Sequence, residues 1–220
     1  MSTVAVVGGH GQVAVLLHSA LLARGHTPVP LGRSQEKAAR LRAATGLETR
    51  FLDIEASGAT EFAAVFAGCD AVVFAAGGGP DGNVERKRTV DLEGALKSLE
   101  AARALGIRRY VQISAMGVDR PVDPEAGEVW AAYVAAKRDS DAAVRASTLD
   151  WTVVRPGRLT DDPGTGEVRV GTDLPYGEVP RADVAALVAA AITDPVTVGK
   201  QFDLVSGDVP VDHALAGLAG

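Results

Sequence analysis

Tyr133 and Lys137 stand four residues apart in a segment with helical apolar periodicity, so phenol and ammonium share one helix face. A neighbouring ammonium favours phenolate over phenol, and the lowered tyrosine pKa suits proton transfer. The lysine could also hold a ribose. Nineteen residues before Tyr133, Ser114 ends a short apolar run and could fix a substrate oxygen. A second pattern opens the chain: Gly8-Gly9-His10-Gly11-Gln12-Val13-Ala14, with GxxGxxA spacing, between an apolar run and a helical pattern. Gly8 allows a tight turn, Gly11 lets the backbone approach a pyrophosphate, and Ala14 lets helix and strand pack closely. Gln12 and Val13 complete the turn, and the free N–H groups and positive dipole end of the helix that follows favour an anion. His10, inside the turn, could touch the bound group or stand exposed.

These residues need a scaffold, and the chain supplies an alternating one. Short apolar Val/Ile-rich runs at 4–7, 27–31, 50–53, 71–76, 110–113, 152–155 and 202–205 read as strands buried on both faces. Helical patterns fall between them, at 14–24, 35–44, 61–67, 84–105, 129–147 and 183–193. Gly25 and Gly106 supply stop signals. The alternation predicts an α/β fold: a Rossmann-like, doubly wound parallel sheet of about seven strands with helices on both faces. The 220 residues suit one NAD(P)-binding domain with a small C-terminal substrate-side portion. Residues 156–180, rich in Pro and Gly, read as a long irregular stretch able to form a lid or part of a pocket.

Ligands of such sheets bind beyond the carboxyl ends of the strands. The second strand ends in Leu31-Gly32-Arg33-Ser34, without the carboxylate that usually binds a ribose 2′-hydroxyl in an NAD site. A guanidinium can pair with a 2′-phosphate instead, so NADP (NADPH) is expected over NAD. After the third strand, Asp53 could accept the adenine amino group with Ile54 packed on the ring, or only start a turn. Ala75, Ala76 and Gly77 follow the fourth strand and permit close backbone approach to the ribose and pyrophosphate.

Composition narrows the partners. The core is aliphatic, with 47% hydrophobic but only 5% aromatic residues; 22 basic against 28 acidic residues leave a net charge of −6. A chain of this balance, without a basic run or stacking aromatics, is not expected to bind nucleic acid. No apolar run is long enough to cross a membrane, and Met1-Ser2-Thr3 leads directly into a strand, so a cytoplasmic protein without a leader is expected. The single cysteine, Cys69, excludes an intrachain disulfide, and no histidine pair among His10, His18, His26 and His213 has metal-ligand spacing. His18 and His26 flank a surface helix and read as structural or solvated. Glu85-Arg86-Lys87-Arg88 reads as a solvated helix start. Trp130 either lines a substrate mouth or anchors its helix in the core.

The chain resembles the small atypical branch of the short-chain dehydrogenase/reductase superfamily, with similarity to NmrA-like and biliverdin reductase B-like proteins. Besides the glycine turn, the resemblance is carried by Thr89-Val90-Asp91-Leu92-Glu93-Gly94, by the run from Gly106 to Ser114, and by Tyr133-x-x-x-Lys137. Val153-Val154-Arg155-Pro156-Gly157, the run from Val179 to Ala185 and Phe202-Asp203-Leu204 complete it. It covers essentially the whole chain. It implies catalytic roles for Ser114, Tyr133 and Lys137, a nicotinamide end near Ile113 and Pro156, and backbone contacts from Arg155-Pro156-Gly157. Asp91 stands where larger relatives have asparagine, a departure in the proton relay. The implied activity is NADP-dependent reduction of a small carbonyl, quinone or flavin-like molecule by a monomer or homodimer. A non-catalytic NADP(H) sensor is the alternative. A sugar-nucleotide epimerase ranks last, because the large C-terminal substrate domain is missing.

Overall fold

The computed structural model describes residues 1–79 and 82–219. The first strand, β1 (Thr3–Val7), is five residues long, and Val4 to Val7 are wholly buried, as a central parallel strand requires. It pairs in parallel with β2 (Thr27–Gly32) on one side and β4 (Ala71–Phe74) on the other. From β2 the sheet extends to β3 (Arg50–Phe51); from β4 it extends through β5 (Arg109–Ile113), β6 (Asp150–Pro156) and β10 (Lys200–Ser206). All these neighbours run parallel, and the order reverses at β1, which opens a crevice at the carboxyl ends of β1 and β4.

Helices cover both faces. On one, α1 (Gln12–Ala23) and α7 (Arg181–Ala191) pack Leu17, Leu21, Leu187 and Val188 against Val4, Val6 and Val111. On the other, α3 (Ala59–Phe66) and α5 (Glu93–Ala104) bring Phe62, Phe66 and Leu99 against Ala5, Val7 and Phe74. The remaining α-helices among the described residues are α2 (Gln35–Thr45), α4 (Val84–Arg86), α6 (Glu128–Arg145) and α8 (Val211–Ala214).

The expected class holds, with corrections. Among the described residues the main sheet has nine strands rather than about seven. The segment 156–180 is not a loop. It holds β7 (Arg158–Thr160) and β9 (Glu178–Pro180), which pair with each other, and β8 (Glu167–Gly171), antiparallel to β10 and β11 (Val209–Pro210). Buried Asp183 pins it by accepting from the backbone N–H groups of Thr165 and Gly166 at 3.0 and 2.9 Å. The helix expected over 84–105 is interrupted: Lys87–Leu92 is π-helical between α4 and α5. Such turns are rare and often stand at functional sites. This one turns Lys87, Val90 and Asp91 inward, so the expected solvated start of this helix does not hold for Lys87, whose ammonium donates to Gly79 O. Cys69 is buried, as expected of an apolar role.

Candidate active site

A cleft of about 520 Å³ opens at the strand-order reversal. Gly8, His10, Gly11 and Gln12 line it from the β1 turn, and Arg33 and Ser34 from the end of β2. Asp53 and Ile54 follow from β3, and Ala75, Ala76 and Gly77 from β4. The sequence reading therefore converges on one cavity from four strands. Val13, Ile113 and Pro156 do not line it. Val13 packs on the core, Ile113 and Pro156 are buried, and Ile113 O and Pro156 O accept from Lys137 Nζ and Met116 N. Lys37, Glu55, Arg86 and Val90 line the cleft and were not anticipated. Lys37 falls four residues after Arg33, one turn into α2, a signal the sequence did contain.

The glycine turn fits a pyrophosphate. Gly8 has φ +77°, and a Cβ there would lie 2.7 Å from Ala76 Cα, so nothing but glycine fits between β1 and β4. Gly11 N donates to Gly8 O at 2.8 Å, and Val15 N is the first in α1 to reach a helical carbonyl, that of Gly11. The amides of Gln12, Val13 and Ala14 thus open the helix without helical acceptors. Buried His18 holds this turn from behind, its Nε2–H donating to Gly9 O at 2.8 Å. Burial lowers its pKa and keeps it neutral; it is structural rather than solvated. His10 packs over Gly32, where a Cβ would stand 2.7 Å from its Nδ1, and its Nε2 lies 3.1 Å from Thr49 Oγ1.

Arg33 is half exposed and its Nη1 lies 3.1 Å from Asp53 Oδ2 and 3.3 Å from Glu55 Oε2. Asp53 also accepts from Glu55 N at 3.1 Å, so the carboxylate organises the turn and the guanidinium together. Burial pushes its pKa up, but the Arg33 and backbone hydrogen bonds outweigh this and hold it below the usual range. Ile54 reaches the cleft over Gly94, where a Cβ would meet its Cγ2 at 2.6 Å.

Beyond this cleft, α6 carries Tyr133, Lys137 and Asp141 at four-residue spacing, with Trp130 one turn outward. Lys137 is buried; its Nζ donates to Ile113 O at 3.2 Å and lies 3.3 Å from Asp91 Oδ1. Asp91 Oδ2 accepts from Gly78 N at 2.7 Å, which ties the β4 turn, the π-helix and α6 together. For Lys137, burial alone would lower the pKa, but Asp91, Tyr133 and Asp141 more than compensate and raise it. For Tyr133 the expected lowering is overturned: burial dominates and raises the pKa, with Asp91, Asp141 and Tyr176 adding to it and Lys137 opposing. Asp91→Asn should therefore lower the Tyr133 pKa by removing a raising charge. Titrating tyrosinate absorbance, with Tyr133→Phe to assign the signal, checks this; an unchanged midpoint would refute the coupling.

Ser114 is not free to donate. Its hydroxyl gives its proton to buried Asp141 Oδ2 at 2.8 Å, where Arg155 Nε also donates at 2.8 Å. Gln112 Nε2 donates to Oδ1 at 2.7 Å. With its proton directed to the Asp141 carboxylate, the Ser114 hydroxyl presents lone pairs to a ligand. Burial still pushes the Asp141 carboxyl above the ordinary range, against Arg155, Ser114 and Gln112. The guanidinium continues outward to Asp119 at 2.5 Å. Trp130 does not anchor the core. It is 48% exposed, with its ring 5.4 Å from that of Tyr133.

An open α/β sheet with a glycine turn at its first strand and a cleft at the order reversal defines a dinucleotide-binding Rossmann protein. The sequence profile of the NAD(P)H-binding family matches residues 8–195, and the chain belongs to that family. It is 37% identical to the protein described as "Uncharacterized sugar epimerase YhfK" of Bacillus subtilis, over 96% of this chain and 97% of that one. It is 34% identical to the UPF0659 protein YMR090W of Saccharomyces cerevisiae, over 98% of each chain. A candidate NAD-dependent epimerase/dehydratase from Bacillus halodurans superimposes with a TM-score of 0.90 at 34% identity, covering 99% of this chain and 100% of the other. At 23% identity, the anaerobilin reductase ChuY of Escherichia coli O157:H7 shares the fold, with a TM-score of 0.73 over 94% of this chain and 98% of that one. No helix among the described residues is long and apolar enough to cross a membrane.

Proposed function

We propose that this chain is a cytoplasmic, NADP-preferring oxidoreductase that reduces a small carbonyl, quinone or flavin-like molecule, working as one domain in a monomer or homodimer. The observation carrying the reading is the end of β2, where Arg33, Ser34 and Lys37 line the cleft and the carboxylates Asp53 and Glu55 hold the guanidinium in place. The β1 turn would hold the pyrophosphate and Arg33 with Lys37 the 2′-phosphate; Asp53 and Ile54 would face the adenine. Bound NADPH supplies hydride. Tyr133 is the group suited to pass a proton to the substrate, and the ammonium of Lys137 steadies the phenolate that this leaves. Ser114, its proton committed, would accept a hydrogen bond from a hydroxyl.

Fluorescence titration of NADPH and NADH tests the cofactor site. Wild-type protein should prefer NADPH by roughly 10- to 100-fold, the equivalent of one or two charge-assisted hydrogen bonds. Arg33→Ala should cut the preference about tenfold, leaving what Lys37 contributes, with NADH binding unchanged; equal affinities in the wild type would refute the assignment.

The engagement of Ser114 by Asp141 and of Lys137 by Asp91 favours a second reading, a non-catalytic NADP(H)-binding regulatory module. Steady hydride transfer to any carbonyl, quinone or flavin would eliminate it.

A further inference from the structure

Two cavities meet beside the β1 turn. The cleft at the strand-order reversal and a groove of about 490 Å³ share His10 and Lys37 as lining residues. His10 is the partition, fixed by its packing on Gly32 and by the 3.1 Å contact of its Nε2 with Thr49 Oγ1. From there the groove runs between α1 and α2, with a volume in the range of small-molecule sites. Val15 and Ser19 line it from α1, and Lys37, Arg40, Leu41 and Ala44 from α2. The α2 residues recur at intervals of three and four and so form one stripe along that helix. Leu41 is buried yet joins neither of the two hydrophobic cores, and Val15 is 41% exposed on the facing helix. This is apolar surface that the fold builds and does not itself cover.

The charge around it is one-sided. Acidic residues outnumber basic ones 28 to 22 in the chain, yet among the described residues no carboxylate lines the groove. Arg40 is engaged by Glu36 in an exposed pair. Lys37 is not so engaged: its backbone N–H donates to Ser34 Oγ at 3.3 Å, but among the described residues its ammonium enters no ion pair and no hydrogen bond. It stands where groove and cleft meet. No Phe, Tyr or Trp lines the groove, so the apolar wall offers aliphatic contact to a chain rather than a face to a stacked ring. An aliphatic trough with an unpaired cation at one end is complementary to an amphipathic anion.

We propose that this groove binds a free, unbranched acyl carboxylate, its chain along Val15, Leu41 and Ala44 and its head at Lys37, and that the bound acid excludes the 2′-phosphate of NADP from the same ammonium. The exclusion rests on the cofactor reading above; the acyl site does not. An acid seated here competes with NADPH and leaves NADH, which has no 2′-phosphate, undisturbed.

Isothermal titration of decanoate, below its micelle concentration, into protein without cofactor tests the site. Saturable binding of one acid per chain is expected. Affinity should rise about fourfold for every two methylenes from octanoate to dodecanoate, because a groove open along one side buries about half of the chain. Decyltrimethylammonium, the same chain under the opposite charge, should not bind. Ala44→Glu sets a carboxylate in the groove from an exposed helix position; it should abolish decanoate binding and leave the NADPH affinity and the thermal midpoint as they are. Lys37→Met should weaken decanoate and NADPH about tenfold each, one charge-assisted hydrogen bond apiece, whereas Arg33→Ala should weaken NADPH alone. Saturating decanoate should raise the apparent Kd of NADPH and not that of NADH. No saturable binding, equal binding of the cationic chain, or wild-type affinity in Ala44→Glu would overturn the site. A dimer in sedimentation that Ala44→Glu dissociates would do so too, by giving the groove to a second copy. Decanoate that binds without moving the Kd of NADPH would overturn the exclusion. Decanoate binding in a protein that takes up no NADPH would leave the acyl site standing and refute the cofactor reading instead.

Discussion

Gly8→Val is expected to weaken NADPH binding by at least about 100-fold, equivalent to about 2.7 kcal/mol. Two costs coincide at this position. The backbone is left-handed, with φ +77°, a region that costs an L-residue about 1–2 kcal/mol and a β-branched one more. The added Cβ would also stand 2.7 Å from Ala76 Cα and 2.9 Å from Ala76 N, and backbone atoms cannot swing aside like a side-chain tip. Relief requires the turn to leave the end of β4, and that displaces Gly11 and the opening amides of α1 together. The fold tolerates this better than the ligand does, because the core beneath comprises Val4 to Val7 and the faces of α1 and α7, which the turn only caps. Isothermal titration with NADPH beside thermal denaturation separates the two effects. A lost affinity with a midpoint a few degrees lower is the expected pair. A valine variant that binds like wild type would mean that the anion does not sit on this turn.

What the sequence made legible follows from how local each signal is. The strands β1, β2, β4, β5 and β6 were readable because each holds a short, largely buried apolar run, which needs no partner information, and β10 because Phe202, Leu204 and Val205 mark it. The glycine turn was readable because the chain must turn and meet a neighbouring backbone within a few residues. The strands β7 and β9 were not, being three residues each in a Pro/Gly-rich stretch and stabilised by pairing with one another. The π-turn was invisible because one extra residue barely alters apolar periodicity, yet it sets Asp91 against Lys137. The same limit governs the site. YxxxK announces a phenol near an ammonium, but the sign of the tyrosine pKa shift depends on burial and on carboxylates from elsewhere in the chain. Ser114 was found at a strand end, whereas its proton acceptor lies 27 residues later on a helix face. Arg33 was found by position, but its hold on Asp53 and Glu55 is a product of two strand ends meeting, those of β2 and β3.

The largest effect on stability is expected from Arg155→Met. Arg155 and Asp141 are both buried, and the guanidinium donates to Asp141 Oδ2 at 2.8 Å while reaching Asp119 at 2.5 Å. Removing one partner of a buried pair leaves an uncompensated charge, which costs about 3–5 kcal/mol. The pH dependence identifies the cause. Burial already raises the Asp141 carboxyl above its unfolded value, and Arg155 is the strongest influence opposing that rise. In Arg155→Met the folded carboxyl binds its proton tighter still. The variant should therefore be most stable below the ordinary carboxylate range and lose stability as pH rises from about 4 toward the raised value. In the wild type, by contrast, Asp119 is held low chiefly by its hydrogen bond to Arg155, and that contribution is lost as pH falls. Urea midpoints from pH 4 to 8 should thus diverge with rising pH, the variant falling away from the wild type. Asp141→Asn added to Arg155→Met removes the orphaned charge and should recover part of the loss and flatten the pH profile, a coupling that a merely under-packed core would not produce. If the double variant instead shows the two costs simply added, Asp141 is not the group that Arg155 serves. Its hold on the Ser114 proton would then have to rest on Gln112 and the helix alone.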